Sequence, residues 1–123
     1  MDAKVAALVK TGRWEDMQAR RGILNDFRCE YCDRDLFADV EGYMAWTKDH
    51  IVPIEAGGLD TFENIAIACH SCNAKIKGKW NPATVCKSGA GRDDLVRATR
   101  DFVRHGRERY LRELQIDLQI VRR

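Results

Sequence analysis

The chain has 123 residues, a third of them charged, and a formal net charge of only +2. Such a length suits one domain with a modest core. No run approaches the roughly 18 apolar residues of a membrane span, and so small a positive excess does not by itself call for a nucleic-acid partner. The opening segment MDAKVAALVKTGRW has no apolar h-region of the secretory kind. The expectation is a cytoplasmic protein whose thiols stay reduced.

Residues 3–10 predict a short helix, with Asp2 as a candidate cap and Thr11-Gly12 as its stop. A second helix is expected over about 13–27, with Trp14, Met17, Leu24 and Phe27 on one apolar face and Arg20 and Arg21 beside it. Residues 28–80 differ in composition. They offer a strand from Met44 to Ile51, a loop at Gly57-Gly58 where backbone freedom is needed, a strand from Ile65 to Ala68, and a short helix from Cys72 to Lys77 closed by Gly78. A linker, 81–91, contains Pro82, Gly89 and Gly91.

A long helix follows over 92–123, with Asp93 and Asp94 in its first turn, where the helix dipole favours them. Leu95, Phe102, Leu111, Leu114, Leu118 and Val121 recur as a helical stripe. Gly106 weakens the middle by about 1 kcal/mol relative to alanine and marks the place for a bend or break. From Lys87 onward there are ten basic and six acidic residues. The arginines between Arg92 and Arg112 read either as a solvated helix face or as a phosphate-tracking surface.

Cys29-Glu30-Tyr31-Cys32 and Cys69-His70-Ser71-Cys72 are C-x-x-C pairs. Two residues between cysteines let both sulfurs of one turn reach a single cation, and two such turns complete a tetrahedral zinc shell. The 36 residues between Cys32 and Cys69 exceed the spacing of a simple zinc ribbon, so an inserted unit must fill the interval. Neither pair sits in the βαβ context of a thioredoxin-type redox site. Four thiolates leave zinc no open coordination position, which makes the ion structural, a usual remedy for a small core. Cys86 has no pair partner and reads as an ordinary thiol.

Between the cysteine pairs stands Asp49-His50-Ile51-Val52-Pro53, then Gly57-Gly58 and Asn64; the second pair runs on as Cys72-Asn73-x-Lys75. This order and spacing closely resembles the HNH endonuclease family over roughly 28–79, a little under half the chain. The resemblance implies an α+β fold: a ββα-metal, or His-Me finger, core over 28–80 with two zinc knuckles. N-terminal helices (1–27) and a long C-terminal helix would flank it within one domain.

The resemblance also implies an activity, the hydrolysis of phosphodiester bonds in DNA. His50 would be the general base, since imidazole readily takes a proton near neutrality. Asp49 and Asn73 would hold a catalytic Mg²⁺ or Mn²⁺, with water and phosphate oxygens completing its shell. Asn64 would fix the loop and orient the histidine. Many relatives carry histidine where this chain has Asn73. Products with a 5′-phosphate and a 3′-hydroxyl are implied in the same way.

For the substrate, Lys75, Lys77 and Lys79 are candidate phosphate contacts, with Arg20, Arg21 and Arg28 upstream. No recognition helix with a readable base code is present. His70 reads as a bystander inside the second knuckle. Double-stranded DNA is the expected partner, and the flanking helices offer a surface for a homodimer or a larger nuclease complex. The rival reading is a zinc-stabilised nucleic-acid-binding module or adaptor without catalysis of its own.

Overall fold

The computed structural model describes all residues, 1–123. Helix α1 (Asp2–Lys10) and helix α2 (Asp16–Leu24) form a small N-terminal layer around buried Val5, Trp14, Ala19 and Phe27. Asp2 does not cap α1; its carboxylate takes Arg20 Nη1 at 2.7 Å and ties α1 to α2. α2 starts later than its apolar pattern suggested, because Glu15 and Gln18 close a reciprocal capping box. It ends at Leu24, and the chain then turns through Asp26 and Phe27, whose φ angles of 54° and 49° are left-handed. That backbone is strained for a bulky residue. It lets the Phe27 ring lie over Gly22, where a Cβ would stand 2.1 Å from a ring carbon. Leu24, expected on the core face, is exposed.

A helix the sequence reading did not include, α3 (Val40–Met44), begins at Asp39, whose carboxylate accepts the Gly42 N–H at 2.7 Å. Strand β1 (Trp46–His50) then pairs antiparallel with β2 (Ile65–Cys69), with Trp46 opposite Cys69 and His50 opposite Ile65. All five residues of β2 are buried. Its outer edge is closed by the first cysteine turn. Glu30 N–H donates to Ile67 O at 3.0 Å, and Ile67 N–H donates to Glu30 Oε2 at 2.9 Å. An unpaired strand edge is thereby removed.

After β2 the chain winds into a π-helix, Ser71–Lys77, ended by Gly78 N–H donating to Asn73 O at 2.8 Å. This i→i+5 winding replaces the ordinary short helix expected from Cys72. Helix α4 (Arg92–Val121) runs unbroken through Gly106, contrary to the expected bend. A Cβ on Gly106 would lie 2.5 Å from Ile76 Cγ2. The glycine therefore serves the close approach of α4 to the π-helix rather than a kink.

α4 buries Val96, Thr99 and Val103 on the main core, which includes Leu36, Ile51 and Ile67. Its start is anchored by Arg92, whose Nη2 donates to Glu30 Oε1 and to Ile65 O, both at 2.8 Å. Phe102 stacks on Trp80 at 4.1 Å. Beyond Gly106 every residue of α4 is exposed, so Leu111, Leu114, Leu118 and Val121 of the expected stripe are not buried in the core; Leu111 and Leu114 line an open groove with Ser71, Lys75 and Ile76 of the π-helix. No helix is long and apolar enough to cross a membrane.

Candidate metal centre and strand-end site

The sulfurs of Cys29, Cys32, Cys69 and Cys72 all lie within 4.8 Å of one another. A tetrahedral zinc with Zn–S bonds of about 2.3 Å sets its sulfurs about 3.8 Å apart, and the Cys32 and Cys69 Sγ atoms are 3.8 Å apart. The two turns supply the matching donors. Tyr31 N–H points to Cys29 Sγ, and Cys72 N–H to Cys69 Sγ, each at 3.4 Å. From α4, Arg107 Nη1 reaches Cys72 Sγ at 3.6 Å.

Packed so closely, the thiols set one another's protonation. Hydrogen bonds from neighbouring cysteines hold Cys32 down to about 6 and Cys69 below the usual thiol range. The same contacts push Cys29 and Cys72 above it. A divalent cation resolves that conflict by binding all four as thiolates. The donor set, spacing and burial fit a structural zinc. Cys86 stands outside the cluster, with Sγ 3.8 Å from Asp94 O.

Beside this centre, β1 divides its side chains between two sides, as a pleated strand must. Thr47 and Asp49 face the π-helix. Thr47 Oγ1 donates to Ala68 O at 2.7 Å and so accepts from Asn73 Nδ2 at 2.9 Å, an orientation that leaves Asn73 Oδ1 without a protein donor. One turn on, Lys77 Nζ lies 3.1 Å from Asp49 Oδ2 and 3.2 Å from His50 O. Tyr31, from the first cysteine turn, donates its hydroxyl to the same Oδ2 at 2.6 Å. Burial pushes the Asp49 carboxyl up, and Lys77 only partly offsets it. Asp49 Oδ1 keeps just the long 3.4 Å contact to Lys77, so it is the oxygen with capacity to spare.

Lys48 and His50 face the other side, and both meet Asp60. His50 Nε2 is 2.8 Å from Asp60 Oδ1, and Lys48 Nζ is 3.1 Å from the same atom. The hydrogen bond from His50, then Lys48, holds the Asp60 carboxyl below its usual range. The intervening loop is fixed by Asn64. Its Oδ1 accepts from Val52 N–H, and its Nδ2 donates to Val52 O and Leu59 O, all at 2.9 Å. Gly58 is needed where the loop folds back, since a Cβ there would lie 1.9 Å from Val52 O.

The structure thus gathers the four cysteines and brings Asn64 beneath the His50 loop. Asp49 and Asn73 share one side of β1, while no hydrogen bond joins Asp49, His50 and Asn73 to one another. Two residues expected as phosphate contacts are placed otherwise. Lys77 is 2% exposed and spent on Asp49, so it is not a surface cation beside Lys75 and Lys79. Arg21 is buried over the Phe62 ring at 3.8 Å, with Nε on Phe62 O. Lys79 is exposed and pairs with Glu55 at 3.3 Å; Lys75 and His70 are exposed.

Tyr31 and Asp60 were missed by sequence reasoning. The alternation of β1 could have suggested a shared partner for Lys48 and His50, but nothing in the sequence separates Asp60 from Glu55 or Glu63 as that partner.

Residues 29–79 match the family described as HNH endonuclease. No curated protein and no solved structure matches the chain. The matched residues hold both cysteine pairs, both strands and the π-helix, in the ββα order with its metal-binding cluster. Over residues 29–79, a little under half of its length, the chain is similar to the HNH endonuclease family.

Proposed function

We propose that this protein is a metal-dependent endonuclease that hydrolyses phosphodiester bonds in DNA at the end of β1. The observation that carries the reading is the His50 ring, 26% exposed, held at the strand end by a loop that Asn64 ties in place. It stands within an HNH-family segment. His50 takes the proton from the attacking water, a step that positioned bases accelerate by about 10²–10⁴-fold. Asn64 keeps the loop rigid so that the ring stays in position.

Asp49 Oδ1 and Asn73 Oδ1 are the oxygens proposed to hold a magnesium or manganese ion. The donor chemistry fits such a hard cation, and neither oxygen is saturated by the protein. Bound there, the ion would supply charge stabilisation for the phosphate and its leaving oxygen. Lys75 and Lys79 are the exposed cations nearest the site in sequence and are proposed to meet the DNA backbone. The proposed setting is the cytoplasm, and a homodimer or larger complex would account for cutting both strands.

A second reading has one specific observation in its favour. Lys77 already neutralises Asp49 inside the fold, which lowers the affinity of that carboxylate for a cation. A zinc-stabilised nucleic-acid-binding module would tolerate such a pair. Supercoiled plasmid, single-stranded DNA and RNA, each incubated with and without magnesium, separate the two. The nuclease reading expects magnesium-dependent cutting that His50→Ala abolishes. Binding without cutting under every condition rejects it.

A further inference from the structure

We infer that Asp60 is a positioning residue for His50: its carboxylate fixes the ring tautomer so that Nδ1, not Nε2, takes the proton in the reaction. This rests on the nuclease reading and deepens it. The short contact is between His50 Nε2 and Asp60 Oδ1, 2.8 Å. An ionised carboxylate only accepts hydrogen bonds, so the proton of the neutral ring must lie on Nε2. The lone pair is then on Nδ1. Lys48, two residues before His50 on the same side of β1, reaches the same Oδ1 at 3.1 Å and keeps Asp60 ionised and in place.

The position of Asp60 is itself built. Asn64 Nδ2 donates to Leu59 O, immediately before Asp60, and to Val52 O, two residues after His50. One amide therefore locks the two sides of the loop whose ends carry the base and its carboxylate. Ile51 N–H donates to Asn64 O at 2.8 Å and closes the same frame from the strand side. Gly58 permits the close fold-back that brings Asp60 over β1. Asn64 thus orients the histidine through Asp60 rather than by touching the ring.

The geometry also separates the duties of the two carboxylates. Asp49 is buried among Tyr31 and Lys77, whereas Asp60 is half-exposed beside the ring. A proton taken by Nδ1 makes the imidazolium, and Asp60 offsets that charge through Nε2. A carboxylate in that place lowers the barrier without touching substrate or metal.

The test is nitrogen-15 spectroscopy of the imidazole rings in the full-length zinc protein. His50 is one of only three histidines and is assigned with a His50→Gln sample. The wild type should show protonated Nε2 and unprotonated Nδ1. Asp60→Ala should give a tautomer mixture, with kcat on plasmid falling about tenfold or more and KM unchanged. Asp60→Asn keeps an acceptor oxygen, so it should retain the tautomer and lose less activity. Zinc content and circular dichroism establish that each variant is folded.

An unchanged tautomer in Asp60→Ala overturns the inference, as does a tautomer change with no fall in kcat. A wild type that cuts nothing, yet loses the Nε2–H tautomer in Asp60→Ala, overturns the nuclease reading while upholding the Asp60 orientation.

Discussion

Lys77 Nζ stands 3.1 Å from Asp49 Oδ2, with the Lys77 side chain wholly and the Asp49 side chain almost wholly out of solvent. Breaking one half of a buried pair costs about 3–5 kcal/mol, because the other charge is left without a partner. Lys77→Met should therefore lower the unfolding free energy of the protein, read from its urea transition, by that order, with a lower midpoint. The double variant Asp49→Asn/Lys77→Met should recover part of the loss. Equal midpoints for Lys77→Met and wild type would show the pair to be energetically idle.

The same pair sets a direction for pH. Burial raises the folded carboxyl of Asp49 above its unfolded value, so this group's contribution is fully present below the unfolded pKa and is lost as pH rises through the folded one. Removing Lys77 raises the folded value further. The stability deficit of Lys77→Met should then shrink on acidification toward about pH 4 and widen above it. A deficit independent of pH contradicts this assignment.

Zinc should be integral to folding. Cys29→Ser or Cys72→Ser should lower bound zinc below one per chain and broaden or abolish the cooperative thermal transition, since metal binding in small domains is folding free energy. Elemental analysis and circular dichroism measure both quantities. A sharply folded, zinc-free protein is the contrary result.

For the chemistry, His50→Ala should reduce plasmid cleavage by roughly 100-fold or more while DNA affinity and zinc content hold. Brief EDTA treatment should stop cutting by the wild type, and magnesium or manganese should restore it. Metal-independent cutting would remove Asp49 and Asn73 from the proposed site.

Gly106 offers a packing test remote from that site. Overpacking costs about 1–3 kcal/mol, and Gly106→Ala drives a methyl into Ile76 Cγ2. The substitution should destabilise the protein despite the roughly 1 kcal/mol that alanine gains over glycine in a helix. In an Ile76→Ala background the clash is gone, and the same change should become neutral or stabilising. Destabilisation of equal size in both backgrounds would assign Gly106 another role.

Local chemistry made the cysteine shell, the two strands and the start of α4 legible in the sequence, because C-x-x-C spacing, apolar runs and paired acids at a helix start act within a few residues. What escaped depends on distant partners. Lys77 is an ordinary surface cation by composition, and only the approach of the π-helix to β1 buries it on Asp49. Gly106 reads as a helix breaker until Ile76 appears opposite. Asp60 and Tyr31 are assigned by loops that return to β1 from opposite directions. The exposed end of α4 shows the reverse failure. Its apolar periodicity is real, but no element of this chain buries it.

The two halves of the sulfur cage are made at different times during translation. At about 5–20 residues per second, a ribosome delivers Cys69 several seconds after Cys32. Until then the early thiols can grip a cation only as a bidentate pair, and the Ile67 amide that the Glu30 carboxylate will receive does not yet exist. The sulfur cage cannot close before Cys72 has emerged, and the core around it waits further for Val96 and Val103 of α4.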